Sequence, residues 1–160
     1  MPSRGARRVG VVMVAKLQIH VAWDDCDPQG MVHGVAYFRW MDQAIHALML
    51  EAGFGHRTIY ERFGAYVPAL DAAADFKAPV TFDDALTIET EITYWGRTSF
   101  RLRYRGFRKS LLMFEGREVR VWATIEDGEA RSAPIPAAFR GALSALAGAG
   151  AESNAGSSPP

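Results

Sequence analysis

The residues best able to do chemistry in this 160-residue chain stand together as Asp24-Asp25-Cys26-Asp27-Pro28-Gln29-Gly30. They directly precede the most apolar helical run of the sequence, with a helix start expected near Gly34 or Val35. A helix start offers unpaired backbone N–H groups and the positive end of the peptide dipoles, which together hold a negatively charged oxygen. A carboxylate beside such a place suggests acyl transfer and not capping alone. The plainer alternative is that Asp27 caps the helix or opens a turn with Pro28. Asp24 and Asp25 read as solvated or supporting acids. Cys26 lies between acids that hold it as a thiol, which makes it a poor nucleophile.

The elements that must position these residues begin with the helix. From Tyr37 to Ala52 apolar residues run almost all the way round, while Arg39, Asp42, Gln43 and His46 share one narrow stripe. This pattern predicts a buried helix, stopped at Gly53, with a sheet wrapped around it. Leu17 to Trp23 reads as the first strand, His56 to Arg62 as a short helical turn, and Tyr66 to Phe76 as a strand with Pro68 near its start. Period-two alternation then marks three strands: Leu86 to Tyr94, Phe100 to Arg105, and Glu118 to Ile125 with Val119, Val121, Ala123 and Ile125 turned inward. Pairing Ile92 with Leu102 across the Gly96-Arg97-Thr98 hairpin sets Glu91 against Arg103 and Glu89 against Arg105 on the wet face. Asp127-Gly128 signals a further hairpin, with a short strand near Ala130 to Ala133. Ala137 to Leu146 reads as a small terminal helix. The result is an α+β layout with one domain over 15–146, a flexible leader over 1–14 in which Met13 offers an alternative translation start, and a disordered tail over 147–160.

Composition narrows the function. Eighteen basic residues balance eighteen acidic ones, which argues against a nucleic-acid or anionic-membrane partner. Cys26 is the only cysteine, so no internal disulfide forms and a reducing, cytoplasmic setting is expected. His20, His33, His46 and His56 lack zinc-site spacing, and no metal is expected. Nucleophile-elbow, phosphate-loop and dinucleotide glycine motifs do not occur.

Two blocks then resemble a known family: Asp25-Cys26-Asp27-Pro28-Gln29-Gly30-Met31-Val32 with Tyr37-Phe38-Arg39-Trp40-Met41-Asp42, and Phe82-Asp83-Asp84-Ala85-Leu86-Thr87-Ile88-Glu89-Thr90 with Trp95-Gly96-Arg97-Thr98-Ser99-Phe100. Together they are similar to the 4-hydroxybenzoyl-CoA thioesterase family of hot-dog-fold proteins, over about Leu17 to Phe139. The resemblance implies a curved antiparallel sheet around a central helix, and a dimer or tetramer with active sites at subunit interfaces. It implies hydrolysis of a small aromatic or medium-chain acyl-CoA without a cofactor, coenzyme A entering as part of the substrate. Asp27 is implied as the catalytic carboxylate, as nucleophile or general base, and Gly34 and Val35 as oxyanion donors. Asp71 falls in a region lining the site in related folds, though a strand-edge acid is its plainer reading. His33 is either an acyl-pocket residue or a loop histidine, and Tyr37 either a pocket border or core. Arg97, Thr98 and Ser99 match a hairpin that meets the nucleotide, and Arg131 a cation near the last strand. Gly96 and Thr98 stand where basic residues are expected, which leaves an acyl-carrier-protein substrate open. A non-catalytic acyl-CoA-binding module is the alternative from outside the enzymes.

Overall fold

In the computed structural model, which describes residues 13–148, the chain begins with β1 (Ala15–His20), a 3-10 turn at Trp23–Asp25 and then the long helix α1 (Gly34–Glu51). After α1 come α2 (His56–Phe63), β2 (Ala65–Tyr66) and β3 (Ala69–Phe76). The long strands β4 (Ala85–Trp95), β5 (Ser99–Arg108) and β6 (Leu111–Val121) follow, then β7 (Ala123–Glu126), β8 (Glu129–Ser132) and α3 (Ala137–Ala147). The larger sheet is antiparallel in the order β1-β4-β5-β6-β3, and β2-β7-β8 form a smaller one. Expectations for 1–12 and 149–160 lie outside the described residues.

Alternation sets the sheet. Ile88, Thr90 and Ile92 stand beside Gly106, Tyr104 and Leu102, and these beside Phe114, Gly116 and Glu118, so one face of three strands is buried against α1. The pairs Ile92–Leu102, Glu91–Arg103 and Glu89–Arg105 form as the sequence pattern requires, with a bulge between Ile92 and Tyr94 before the hairpin. Arg103 and Arg105 reach Glu91 and Glu89, but Glu91 is buried where a wet face was expected. Asp127 and Gly128 both take positive φ, 52° and 81°, the conformation a two-residue hairpin demands.

α1 lies across this face through Ala36, Tyr37, Trp40, Met41, Ala44, Ile45, Leu48 and Met49, all buried. Gly116 allows the close approach, because a Cβ there would stand 2.6 Å from Met41 Sδ. The expected all-round burial does not hold within one chain. Val35, Phe38 and Leu50 on the far side of α1 are 75%, 40% and 56% exposed.

Three further expectations are corrected. Tyr66 to Phe76 is two strands: Pro68 supplies no N–H, and the chain passes there from the small sheet to the edge of the large one. The segment around Glu118 to Ile125 is likewise two strands, broken at buried Trp122. Its phase is also reversed over Glu118 to Arg120: Glu118 and Arg120 face α1, while Val119 lies on the outer face opposite Asp71. Val121 and Ala123 are buried as expected, and Ile125 is exposed. Arg120 makes that burial tolerable. Its guanidinium donates to Glu118 at 2.9 Å, to Asp42 at 2.6 Å and to the Val67 carbonyl at 3.0 Å, while the Tyr104 hydroxyl donates to Glu118 at 2.6 Å.

Candidate active site

The acidic loop is tied at both ends before it reaches Asp27. The Ala22 N–H donates to Asp25 Oδ2 at 3.0 Å, the His33 N–H donates to the Asp25 carbonyl at 2.9 Å, and Arg39 of α1 forms an ion pair with the Asp25 carboxylate. Asp25 is therefore a buried tether between loop and helix, which is the supporting and not the solvated of its two expected readings. Cys26 bridges Val32 as an antiparallel pair, and the loop turns over between them. Partial burial first, then the carboxylates of Asp27, Asp24 and Asp84, raise the pKa of the Cys26 thiol.

Asp27 directs that turn. Its Oδ1 accepts hydrogen bonds from the Gln29 N–H at 2.9 Å and the Met31 N–H at 3.1 Å, and its own N–H donates to the Met31 carbonyl at 2.8 Å. Gly30 closes the turn at φ 79°, with the Phe82 ring 3.3 Å from where a Cβ would be. The turn-forming role is thus real, and it uses one oxygen. Oδ2 has no hydrogen-bond partner among the described residues. Asp27 is half-buried, so that oxygen combines partial desolvation with freedom to act.

The loop runs into α1 without a side-chain cap. His33 takes the N-cap position with extended φ/ψ (−64°, 141°) and its imidazole makes no capping bond. The N–H groups of Gly34 and Val35 consequently find no acceptor among the described residues, as an oxyanion site requires. Beside this tip lies a cleft of about 340 Å³ lined by Met31, Val32, Gly34, Tyr37, Phe76, Lys77, Ala78 and Pro79. Tyr37 lies 4.6 Å from Phe76 and 5.0 Å from Phe114, ring centre to ring centre, and is both core packing and cleft wall. Burial, and secondarily Cys26, raise its phenol pKa, so it is a neutral donor at ordinary pH. His33 and Val35 are exposed beside the cleft and do not line it. Asp27 does not line the cleft and is connected to it by the hydrogen bond from the lining residue Met31.

The other predicted site residues lie elsewhere in the chain. Asp71 is on the outer face of the sheet, opposite Val119 and turned away from α1. It lines a separate charged groove of about 470 Å³ with Asp75, Arg101, Arg103 and Arg117, and one chain does not bring it to Asp27. Arg97, Thr98 and Ser99 form the tip between β4 and β5, held to the small sheet that carries Arg131. The Trp122 N–H donates to the Thr98 carbonyl at 2.8 Å, and the Ile135 N–H to the Arg97 carbonyl at 2.9 Å. Arg140, not anticipated from the sequence, joins this cluster by donating to the Gly96 carbonyl at 2.6 Å beneath Trp95. The row Phe76–Phe114–Gly106–Ile88 fixes the cleft's position along the strands, and the hairpin begins after Trp95, seven residues further along β4. At about 3.3 Å per residue, the hairpin carrying Arg97 stands roughly 20 Å from the cleft in one chain. Phe76, Lys77, Ala78 and Pro79 were also missed as lining residues; the aromatic-Lys-Ala-Pro run at a strand end was the available signal. Among the described residues no group of three His, Cys, Asp or Glu side chains is placed to hold a metal.

Comparison with known proteins agrees with the fold and identifies the family. Residues 29–114 match the family model described as thioesterase superfamily. The chain is 32% identical over 130 residues to a 4-hydroxybenzoyl-CoA thioesterase from Pseudomonas sp. strain CBS-3, covering 77% of this chain and 92% of that protein. A crystal structure of an Asp-to-Asn variant of 4-hydroxybenzoyl CoA thioesterase, complexed with 4-hydroxybenzoyl CoA, superposes with a TM-score of 0.76 at 28% identity over 82% of this chain and 99% of that one. A gentisyl-coenzyme A thioesterase superposes with a TM-score of 0.71 at 29% identity, over 81% and 99% of the two chains.

Proposed function

The chain belongs to the thioesterase superfamily, hydrolases acting on thioesters, and from that premise we propose that it hydrolyses a small aromatic or medium-chain acyl-CoA with Asp27 as its catalytic carboxylate. The observation that carries this is the division of labour within Asp27. Oδ1 holds the turn and Oδ2 is unengaged, in a loop whose Met31 lines the same apolar cleft as Gly34 at the uncapped helix tip. The acyl group occupies the cleft, and the carbonyl oxygen accepts from the N–H groups of Gly34 and Val35, where negative charge develops on attack. Asp27 either attacks the carbonyl carbon itself or takes a proton from the attacking water. In the first route the C–S bond breaks as an acyl–Asp27 anhydride forms, and water then hydrolyses that anhydride; in the second, water adds to the carbonyl directly and the C–S bond breaks. In both, one water is consumed, coenzyme A leaves as the thiol, and the acyl group leaves as the free acid.

Arg97, Thr98, Ser99 and Arg131 hold the coenzyme A phosphates in this reading. Their separation from the cleft in one chain supports a homodimer or homotetramer with shared sites, in which Asp71 and His33 of one subunit border the substrate of another. The exposed apolar residues Val35, Phe38 and Leu70 and the unpaired outer edge of β3 are the surfaces that would be covered. A cytoplasmic setting belongs to the same proposal, resting on the single cysteine. Free-thiol release from a panel of acyl-CoAs tests the reading. Turnover on at least one aryl or medium-chain ester is expected. Affinity without turnover would make the chain a binding module, and slow release from every CoA ester with fast release from a carrier protein would shift the substrate class.

A further inference from the structure

The cleft wall carries one charged side chain that the thioesterase reading does not use. Met31, Val32, Phe76, Ala78 and Pro79 are apolar, Gly34 presents backbone, and Tyr37 adds a phenol; Lys77 is the only ionic member of the lining. Its segment is fixed in place. The Lys77 and Ala78 N–H groups both donate to the Met113 carbonyl, at 2.8 and 3.2 Å, and the Val32 N–H donates to the Val80 carbonyl at 3.0 Å. The wall therefore spans from β6 to the acidic loop without slack. Lys77 forms no salt bridge and the Tyr37 hydroxyl no hydrogen bond among the described residues. No carboxylate lines this cleft, although Asp and Glu are as numerous as Lys and Arg in the chain.

An apolar cleft with one unpaired ammonium and one phenolic donor matches a ligand with an apolar body and an anionic end. Lys77 lines the cleft and is exposed, which puts its ammonium at the wet mouth, so the anion belongs at the rim and the body inside. Gly34 at the helix tip fixes the thioester carbonyl, so the group facing Lys77 is the remote end of the acyl chain. The phosphates of coenzyme A are anions too, but the hairpin cations that suit them lie roughly 20 Å along the strands in one chain. We propose that Lys77, assisted by the Tyr37 hydroxyl, selects acyl groups bearing a second, anionic substituent such as a ring carboxylate. This rests on the thioesterase reading for the catalytic step, though binding of the free acid does not depend on it.

The test compares 4-carboxybenzoyl-CoA with its neutral near-isostere 4-carbamoylbenzoyl-CoA in the full-length wild type, Lys77→Gln and Lys77→Arg. Calorimetric binding of the corresponding free acids is measured in parallel. A charge-assisted hydrogen bond predicts a preference of about tenfold or more in kcat/KM for the carboxylated ester. Lys77→Gln brings that ratio toward one by lowering kcat/KM for the carboxylated ester more than for the neutral one, Lys77→Arg keeps the ratio, and free-acid affinities follow the same order. Equal rates on both esters in wild type, or equal loss on both in Lys77→Gln through KM, would overturn the proposal, the latter by assigning Lys77 to the coenzyme. If no thioester is turned over, the hydrolase reading fails instead, and the free-acid affinities alone decide for or against Lys77.

Discussion

Asp27 meets one of the two readings of its sequence context directly and leaves room for the other. An Asp-Pro turn needs a side-chain oxygen facing its own backbone, which Oδ1 supplies; Oδ2, without a hydrogen-bond partner among the described residues, is the oxygen the proposed chemistry would use. Replacing Asp27 by Ala removes the turn acceptor for Gln29 and Met31 and is expected to cost about 1 kcal/mol, measurable as a lower denaturant midpoint. Cys26 gives a second expectation at this scale. A thiol held above its ordinary pKa is slow to alkylate at neutral pH, and Cys26→Ser leaves thioester hydrolysis unchanged. Iodoacetamide labelling followed by mass spectrometry, together with the Cys26→Ser rate, checks both. The turn at Asp27 and the helix start at Gly34 were both legible in the sequence. The burial of Asp25 was not, because the matching cation, Arg39, lies fourteen residues away and meets it only once the loop folds back on α1.

Among the elements, β6 is where pattern reading failed, and the reason is physical. Alternation gives a period of two but not its phase, and valine is the default choice for the inner face. Here the inner face carries Glu118 and Arg120, satisfied by each other and by Tyr104, Asp42 and the Val67 carbonyl. That network joins α1, the turn before β3, β5 and β6. Removing one partner leaves a buried charge alone, so Arg120→Met or Glu118→Gln is expected to destabilise by about 3–5 kcal/mol in chemical denaturation. The joint replacement of both by apolar residues should cost less than either alone. Asp42→Asn should cost under about 1 kcal/mol, since that carboxylate is 66% exposed. A pH dependence arises next to this network. His56 stacks on His46 at 5.0 Å, and burial, His46 and Arg120 lower its pKa despite the opposing pull of Asp42. The unfolded chain therefore binds a proton more readily than the folded one. Stability contributed by neutral His56 is present above about pH 6.5 and lost as pH falls below it. Denaturation midpoints at pH 7.5 and 5.5 should differ less in His56→Gln than in wild type.

For the whole molecule, the antiparallel sheet, the single long helix and the central register were legible because alternation, turn residues and the Gly53 stop all agree. The extent of burial was not, because an apolar stripe on a helix does not distinguish its own sheet from another subunit. Val35, Phe38, Leu50 and Leu70 remain exposed in one chain, and the proposed coenzyme cations stand far from the cleft. Light scattering on the purified protein should return two or four times the chain mass of 17.6 kDa; a monomer that turns over substrate would exclude shared sites. The central claim concerns the free oxygen of Asp27, and Asp27→Asn addresses it most directly, because asparagine keeps the turn acceptor and loses the carboxylate. Thiol release from the best acyl-CoA, measured for wild type and Asp27→Asn at matched thermal stability, is predicted to fall by about 10²–10⁴-fold in kcat. An equally stable Asp27→Asn protein with the wild-type rate would contradict the account.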